Sequence, residues 1–268
     1  MMDYHTRYGL EFNPFLKNSK DLIVKTHEYK EVLFRLDYLA KTRGFGLITG
    51  SPGRGKTTAI RSWGNGLNPS LYKVIYSSLS TLTVQDFYRN LALRLGAQPA
   101  FRKPDNFRLI QEEICRLSLE KRKTPVIIID EANYISNAVM NDLKILFNFE
   151  MDSRDRAVVL LAGLPQLNST LRLSIHEPFR QRIVMNYNME GLTKEEGRQY
   201  ISEKLHGAGC RQSVFDENAV EALLNAADGT PRIISKLCNA SLLIGDSCKA
   251  EQITSEIAMQ AINDCELG

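Results

Sequence analysis

The chain has 268 residues, 43% hydrophobic and 24% charged, with a net charge of +3 at neutral pH. An apolar fraction this high excludes a charge-dominated disordered coil, and the length suits one large domain or a core with a small appendage. The longest apolar runs, at 126–129 and 157–164, fall far short of the roughly 20 residues a bilayer helix requires, and residues 1–7 form no apolar signal region. These features point to a cytoplasmic protein with no membrane partner. Five cysteines and four histidines are scattered without metal-ligand or disulfide spacing, so they read as structural or surface residues.

In chain order, Tyr29, Val32, Leu33, Leu36, Leu39 and Ala40 repeat at helical spacing and predict an amphipathic helix over 28–43. Short apolar runs at 45–49, 73–76, 126–129, 157–162 and 183–187 read as strands, with longer helical patterns between them. Runs apolar over most of their length suit strands covered on both faces, hence a mostly parallel five-stranded sheet between helices. After Leu192 the strand signal stops. Asp216 can cap one helix, Gly229-Thr230-Pro231 breaks the chain before a second, and Thr254 can cap a last one. The expected organisation is an N-terminal segment at 1–44 packing on an α/β core at 45–190, followed by a small all-helical lid at 191–268.

The sharpest motif is Gly50-Ser51-Pro52-Gly53-Arg54-Gly55-Lys56-Thr57, a complete G-x-x-x-x-G-K-[ST] between the first strand and a segment, 58–63, that can continue as helix. Its glycines let the loop curl so that backbone N–H groups converge on phosphate oxygens, and the helix N-terminus that includes Thr58 adds partial positive charge. Lys56 is expected to reach the β- and γ-phosphates and the Thr57 hydroxyl to ligate Mg²⁺. Val126-Ile127-Ile128-Ile129-Asp130-Glu131 is a buried strand ending in two carboxylates, costly there unless a cation or solvent meets them. Asp130 fits the residue that holds Mg²⁺ through water, and Glu131 the group that orients and polarises the attacking water. The two motifs predict an NTP-hydrolysing site.

The sequence resembles the AAA+ ATPases, which implies a P-loop αβα sandwich with a helical lid. Gly229-Thr230-Pro231-Arg232 is similar to the family's sensor 2, where the arginine contacts the γ-phosphate. Phe179-Arg180-Gln181-Arg182-Ile183 resembles the motif that supplies an arginine finger to a neighbouring subunit, which implies a homo-oligomer. On an alternating strand Arg180 and Arg182 would share a face, so the choice between them stays open. Nearly the whole chain resembles the ExeA, TniB and TnsC branch, through Tyr8-Gly9-Leu10, Asn13-Pro14-Phe15, Asp130-Glu131-Ala132-Asn133, Ala162-Gly163-Leu164-Pro165-Gln166-Leu167 and the stretch from Gly191 to Gly209. In that branch the opening segment packs beside the base, which makes Pro14 and Phe15 adenine-side candidates; an ordinary core role for Phe15 is equally compatible. One departure stands out. The fourth strand runs into Gly163-Leu164-Pro165 without the polar side chain that many relatives place there. Gln166 or Asn133 substitutes, or basal turnover is slow, below roughly one per second.

The branch contains transposition regulators that bind DNA as ATP-dependent rings or filaments and present it to a transposase. The resemblance therefore implies duplex DNA, a ring or helical filament, a DDE-type transposase and a target-selection protein as partners. Two alternatives are a helicase loader or initiator-like switch and a secretion ATPase like ExeA, whose membrane and cell-wall-binding regions find no counterpart in these 268 residues. DNA contacts are expected from basic and hydroxyl groups meeting phosphates. The candidates are Ser78 and Thr81 after the second strand and Arg102 with Lys103, for which solvated loop charge is the competing reading.

Overall fold

The computed structural model describes residues 4–17, 20, 22–78 and 83–265, so Thr81 lies outside the described residues. The elements, in chain order, are α1 (Tyr4–Tyr8), α2 (His27–Thr42), β1 (Gly44–Gly50), α3 (Lys56–Gly66), β2 (Tyr72–Ser77), α4 (Val84–Leu95), α5 (Lys103–Cys115), β3 (Thr124–Ile129), α6 (Asn137–Leu146), β4 (Val158–Gly163), α7 (Gln166–Arg172), α8 (Glu177–Arg180) and β5 (Ile183–Met189). They are followed by α9 (Lys194–Gly207), α10 (Glu217–Ala227), α11 (Pro231–Ser247) and α12 (Ser255–Cys265). The chain divides into two compact units. One comprises Glu31–Pro52 and Lys56–Met189, the other Met1–Lys30, Gly53–Gly55 and Glu190–Gly268.

The first is the sheet unit. Its strands run in the order β2-β3-β4-β1-β5, and every pairing is parallel. β1, β3 and β4 are buried along their whole length, which is why their apolar runs show no alternation. One face carries Phe45, Leu47, Ile127, Ile129, Val159 and Leu161 into a core shared with α4, α5 and α6. On the other face α2 comes so close to β1 that a Cβ at Gly46 would overlap Leu39. Helices on both faces make this the three-layer αβα architecture expected from the strand pattern. Because all strands are parallel, the segments that follow Gly50, Ser77, Ile129 and Gly163 emerge at one edge of the sheet, where open α/β sheets bind ligands.

The second is the helical unit. Thr193 caps α9 in a reciprocal box with Glu196, and Asp216 caps α10 by accepting the Ala219 N–H at 2.5 Å. Tyr4, Tyr8, Leu10 and Phe15 are buried in the same core as Ile201, Leu223, Leu237 and Leu242. The N-terminal segment expected over 1–44 is therefore divided: residues up to Lys30 belong with the helices, whereas Val32, Leu36 and Leu39 of α2 are buried in the sheet unit. Tyr4, Tyr8, Leu10 and Phe15 find their burial among the helices, and this long-range partnership has no local signature. No helix among the described residues is long and apolar enough to cross a membrane.

Candidate functional site

In the sheet unit, the loop after β1 turns directly into α3, so the first N–H groups of an 11-residue helix are presented at the end of a buried strand. Lys56 donates from Nζ to the Gly50 carbonyl at 2.7 Å and to the Ser51 carbonyl at 3.0 Å, which ties the ammonium to the start of its own loop. One residue on, the Thr57 hydroxyl donates to Asp130 Oδ2 at 2.9 Å, joining two motifs 73 positions apart. Asp130 is 4% exposed, and its Oδ1 accepts the Glu131 N–H at 2.9 Å. A hydroxyl and a carboxylate held together are hard oxygen donors of the kind Mg²⁺ takes, so the residues fit that ion.

Glu131 is exposed and left-handed, with φ 53° and ψ 36°. A non-glycine residue there costs on the order of 1–3 kcal/mol, and such strain concentrates at functional sites. Four groups of this edge have no counterpart among the expected site residues. Tyr76, read only as strand, donates its hydroxyl to Asp130 Oδ2 at 2.9 Å. Burial first, then the bond to Asp130 and the charges of Asp130 and Glu131, push this phenol up to about 12, so it remains a donor at neutral pH. Asn168 donates to the fully buried Thr49 hydroxyl at 2.8 Å, and Thr49 donates in turn to Asn188 at 3.0 Å.

The strand end that lacked a polar side chain does have an amide beside it. Asn133 Oδ1 accepts the Leu164 N–H at 3.1 Å immediately beyond β4, whereas Gln166 is exposed on α7. Arg180 and Arg182 do not lie on a strand. Arg180 closes α8 and donates to the carbonyls of Leu171 and Arg172, each at 3.2 Å. Arg182, in the turn before β5, donates to the Lys144 carbonyl at 2.7 Å. Both arginines thus meet the C-terminal carbonyls of helices, where cations are favoured. Arg180 is exposed and Arg182 half-buried.

His176, at the start of this segment, is fully buried with Nε2 2.9 Å from Asn137 Oδ1. Burial pushes the imidazole below its usual value of 6.5. The unfolded chain then binds a proton that the folded chain resists, so stability is full above about pH 6.5 and declines as pH falls toward the lower folded value. Urea midpoints taken at pH 7.5 and 5.5 are expected to fall for the native protein and to fall less for His176→Gln.

The helical unit holds the tip of the phosphate loop. Gly53 is left-handed at φ 78°, and a Cβ there would lie 2.8 Å from the Arg232 Cβ; its carbonyl accepts the Arg232 N–H at 3.4 Å. Arg232 is exposed in the first turn of α11. Arg54 turns into the unit, donating from Nη1 to the Asp228 carbonyl at 2.7 Å and from Nη2 to its carboxylate at 3.4 Å. Nearby, Glu28 is buried and accepts the N–H groups of Glu190 at 2.6 Å and Gly191 at 3.2 Å; desolvation raises its carboxyl despite those bonds. Gly191 has φ 108°, and a Cβ there would overlap Arg54 Nη1. Gly191→Ala is accordingly expected to destabilise this unit by about 2–4 kcal/mol, from backbone strain plus overpacking, in urea unfolding.

The remaining candidates are dispersed. Pro14 and Phe15 are both buried, with Phe15 in the core of the helical unit. Ser78 is exposed just beyond β2. Arg102 is exposed and precedes α5, while Lys103 pairs with Asp142 at 2.6 Å and stands 5.3 Å from the centre of the Tyr88 ring.

Residues 39–171 match a protein-family model described as an AAA domain. Over 245 residues the chain is 29% identical to General secretion pathway protein A of Aeromonas hydrophila, covering 90% of this chain and 44% of that protein. It spans less than half the length of the curated relatives it matches. Its fold is similar to Cdc6p from Pyrobaculum aerophilum, with a TM-score of 0.70 and 13% identity over 95% of this chain and 71% of that one. It is also similar to the Thermotoga maritima RuvB Holliday junction branch migration motor, with a TM-score of 0.62 and 19% identity over 95% and 74% of the two chains.

Proposed function

We propose that the chain, whose residues 39–171 match an AAA domain, binds ATP at the loop 50–57 and hydrolyses it to ADP and phosphate as a switch for self-assembly on duplex DNA. The observation that carries the reading is the 2.9 Å bond from Thr57 to Asp130, which brings the phosphate loop and the acidic strand end to one place. Lys56 and the N–H groups at the start of α3 hold the phosphates. Thr57, and Asp130 through water, would hold Mg²⁺, which would supply charge neutralisation at the phosphate oxygens. Glu131 orients a water and takes its proton as the water oxygen bonds to the γ-phosphorus and the bond to the β–γ bridging oxygen breaks; ADP leaves with that electron pair. Arg232 reads the γ-phosphate within the same chain, and Arg180 or Arg182 is supplied to the neighbouring subunit. Either finger must first leave the carbonyls it now meets, which fits hydrolysis that is slow until subunits assemble.

The finer reading is a transposition regulator that presents target DNA to a DDE-type transposase, supported by the resemblance of the segments around Tyr8, Ala162 and Gly191. Ser78, Thr81 and Arg102 are its DNA-facing candidates. Lys103 contributes there only by exchanging its pairing with Asp142. A second reading, an ATPase of a secretion system, is favoured by the 29% identity over 90% of the chain to General secretion pathway protein A. Electron microscopy of the protein with duplex DNA and a slowly hydrolysed ATP analogue separates them. Rings or filaments on DNA that are absent with ADP support the DNA switch, whereas dispersed particles together with hydrolysis indifferent to DNA support the secretion reading.

A further inference from the structure

Asp130 accepts three hydrogen bonds among the described residues. Its Oδ2 accepts two hydroxyls, from Thr57 and from Tyr76, each at 2.9 Å, and its Oδ1 accepts the Glu131 N–H at 2.9 Å. An ionised carboxylate offers about four acceptor sites. Among the described residues three are therefore used, which leaves one on Oδ1. A hydroxyl that already shares its proton with Oδ2 keeps its own oxygen lone pairs for a cation, which suits Thr57. Tyr76 has a different place in the arrangement: it is not part of the phosphate loop or of the acidic strand end, and it reaches Asp130 from the neighbouring strand.

The backbone of Tyr76 is held on both sides. It pairs with Ile128 in the parallel ladder between β2 and β3, and its carbonyl accepts Arg94 Nη1 at 2.7 Å. The residue is 41% exposed and lies outside the buried core. Within the side chain, the hydroxyl is the group that makes a hydrogen bond among the described residues. Without it, Oδ2 keeps a single donor, and the carboxylate is held less firmly about its terminal torsion, which is broad for aspartate.

We propose that Tyr76 is a positioning residue for Asp130, holding the carboxylate so that one Oδ1 acceptor site is directed to the hydration shell of the bound metal; the inference rests on the proposed Mg²⁺–ATP site. Partners of this kind, one step removed from a metal, typically change metal affinity or activity by about 10–100-fold when mutated. A phenol that merely decorated the surface would leave metal binding untouched. One that served only to support the strand would alter stability and nucleotide binding together.

The test uses the whole chain with Tyr76→Phe, which keeps the ring and removes the hydroxyl, and Tyr76→Leu as a second variant. Binding of a fluorescent ATP analogue is measured in EDTA, and Mn²⁺ is then titrated into the complex with a non-hydrolysable ATP analogue, with free Mn²⁺ read by electron paramagnetic resonance. Both variants are expected to bind the nucleotide without metal as the native protein does, and to need about tenfold more Mn²⁺ for half-saturation. The Mg²⁺ concentration for half-maximal hydrolysis is expected to rise in parallel. Unchanged Mn²⁺ affinity in the variants overturns the role of Tyr76 while leaving the nucleotide site standing. A matching loss of metal-free nucleotide binding also overturns it, because the residue would then act on the nucleotide or the fold. Failure of the native protein itself to bind nucleotide would overturn the proposed site and this inference with it.

Discussion

Glu131→Gln is expected to bind ATP as the native protein does and to hydrolyse it about 10²–10⁴-fold more slowly, the range over which a positioned general base acts. The amide preserves the shape of the side chain and its reach from the left-handed position at φ 53°, but it cannot take the proton of the attacking water. Binding groups and chemical group are separate here. Lys56, Thr57 and Asp130 are joined to one another's segments by hydrogen bonds, while Glu131 stands exposed at the end of the strand. The variant should therefore accumulate ATP-bound assemblies on DNA that outlast those of the native protein. Steady-state phosphate release and electron microscopy read the two effects. A Glu131→Gln protein that failed to assemble with ATP would show that binding alone does not set the switch.

Lys56→Ala is expected to produce the opposite assembly behaviour with the same loss of hydrolysis. The ammonium supplies charge-assisted hydrogen bonds, each worth about 1.5–3 kcal/mol. In the structure its donors are directed to the Gly50 and Ser51 carbonyls, at the point where β1 becomes the phosphate loop. Removing it takes away both the cation for the phosphates and a brace of the loop. ATP affinity is expected to fall by on the order of 10–100-fold, equivalent to the loss of one or two such bonds. Assemblies should then be absent at ATP concentrations that saturate the native protein. Opposite assembly outcomes from two variants that are both inactive would separate a nucleotide switch from general damage to the fold.

The phosphate loop and the acidic strand end were legible because their chemistry is local. Eight consecutive residues contain the glycines, the lysine and the threonine, and a run of four apolar residues announces the strand before Asp130. The same is true of the helix cap at Asp216 and of the capping box at Thr193, where donor and acceptor are three residues apart. The arginines before β5 were less so. An assumption of strand alternation placed Arg180 and Arg182 on one face, but a short helix ends at Arg180 and a turn follows, so their guanidinium groups reach carbonyls of two different helices. Likewise, the polar group missing from the end of β4 is matched by Asn133, which arrives from the turn after β3.

From the sequence by itself came the αβα class, the parallel sheet, the helical region beyond Leu192 and the residues of the candidate phosphate site. Periodicity and short-range loop chemistry determine all of these. What only the tertiary structure decided is which distant side chains complete that site. The order β2-β3-β4-β1-β5 puts Tyr76 beside Asp130. The folding of Gly53–Gly55 with the helices gives Arg54 its partner in Asp228. Strand order and long-range burial depend on which apolar faces meet across many intervening residues, and no local pattern encodes that choice. The phosphate-binding motif is written in eight residues, while its supports come from strands and helices brought together by the burial of the core.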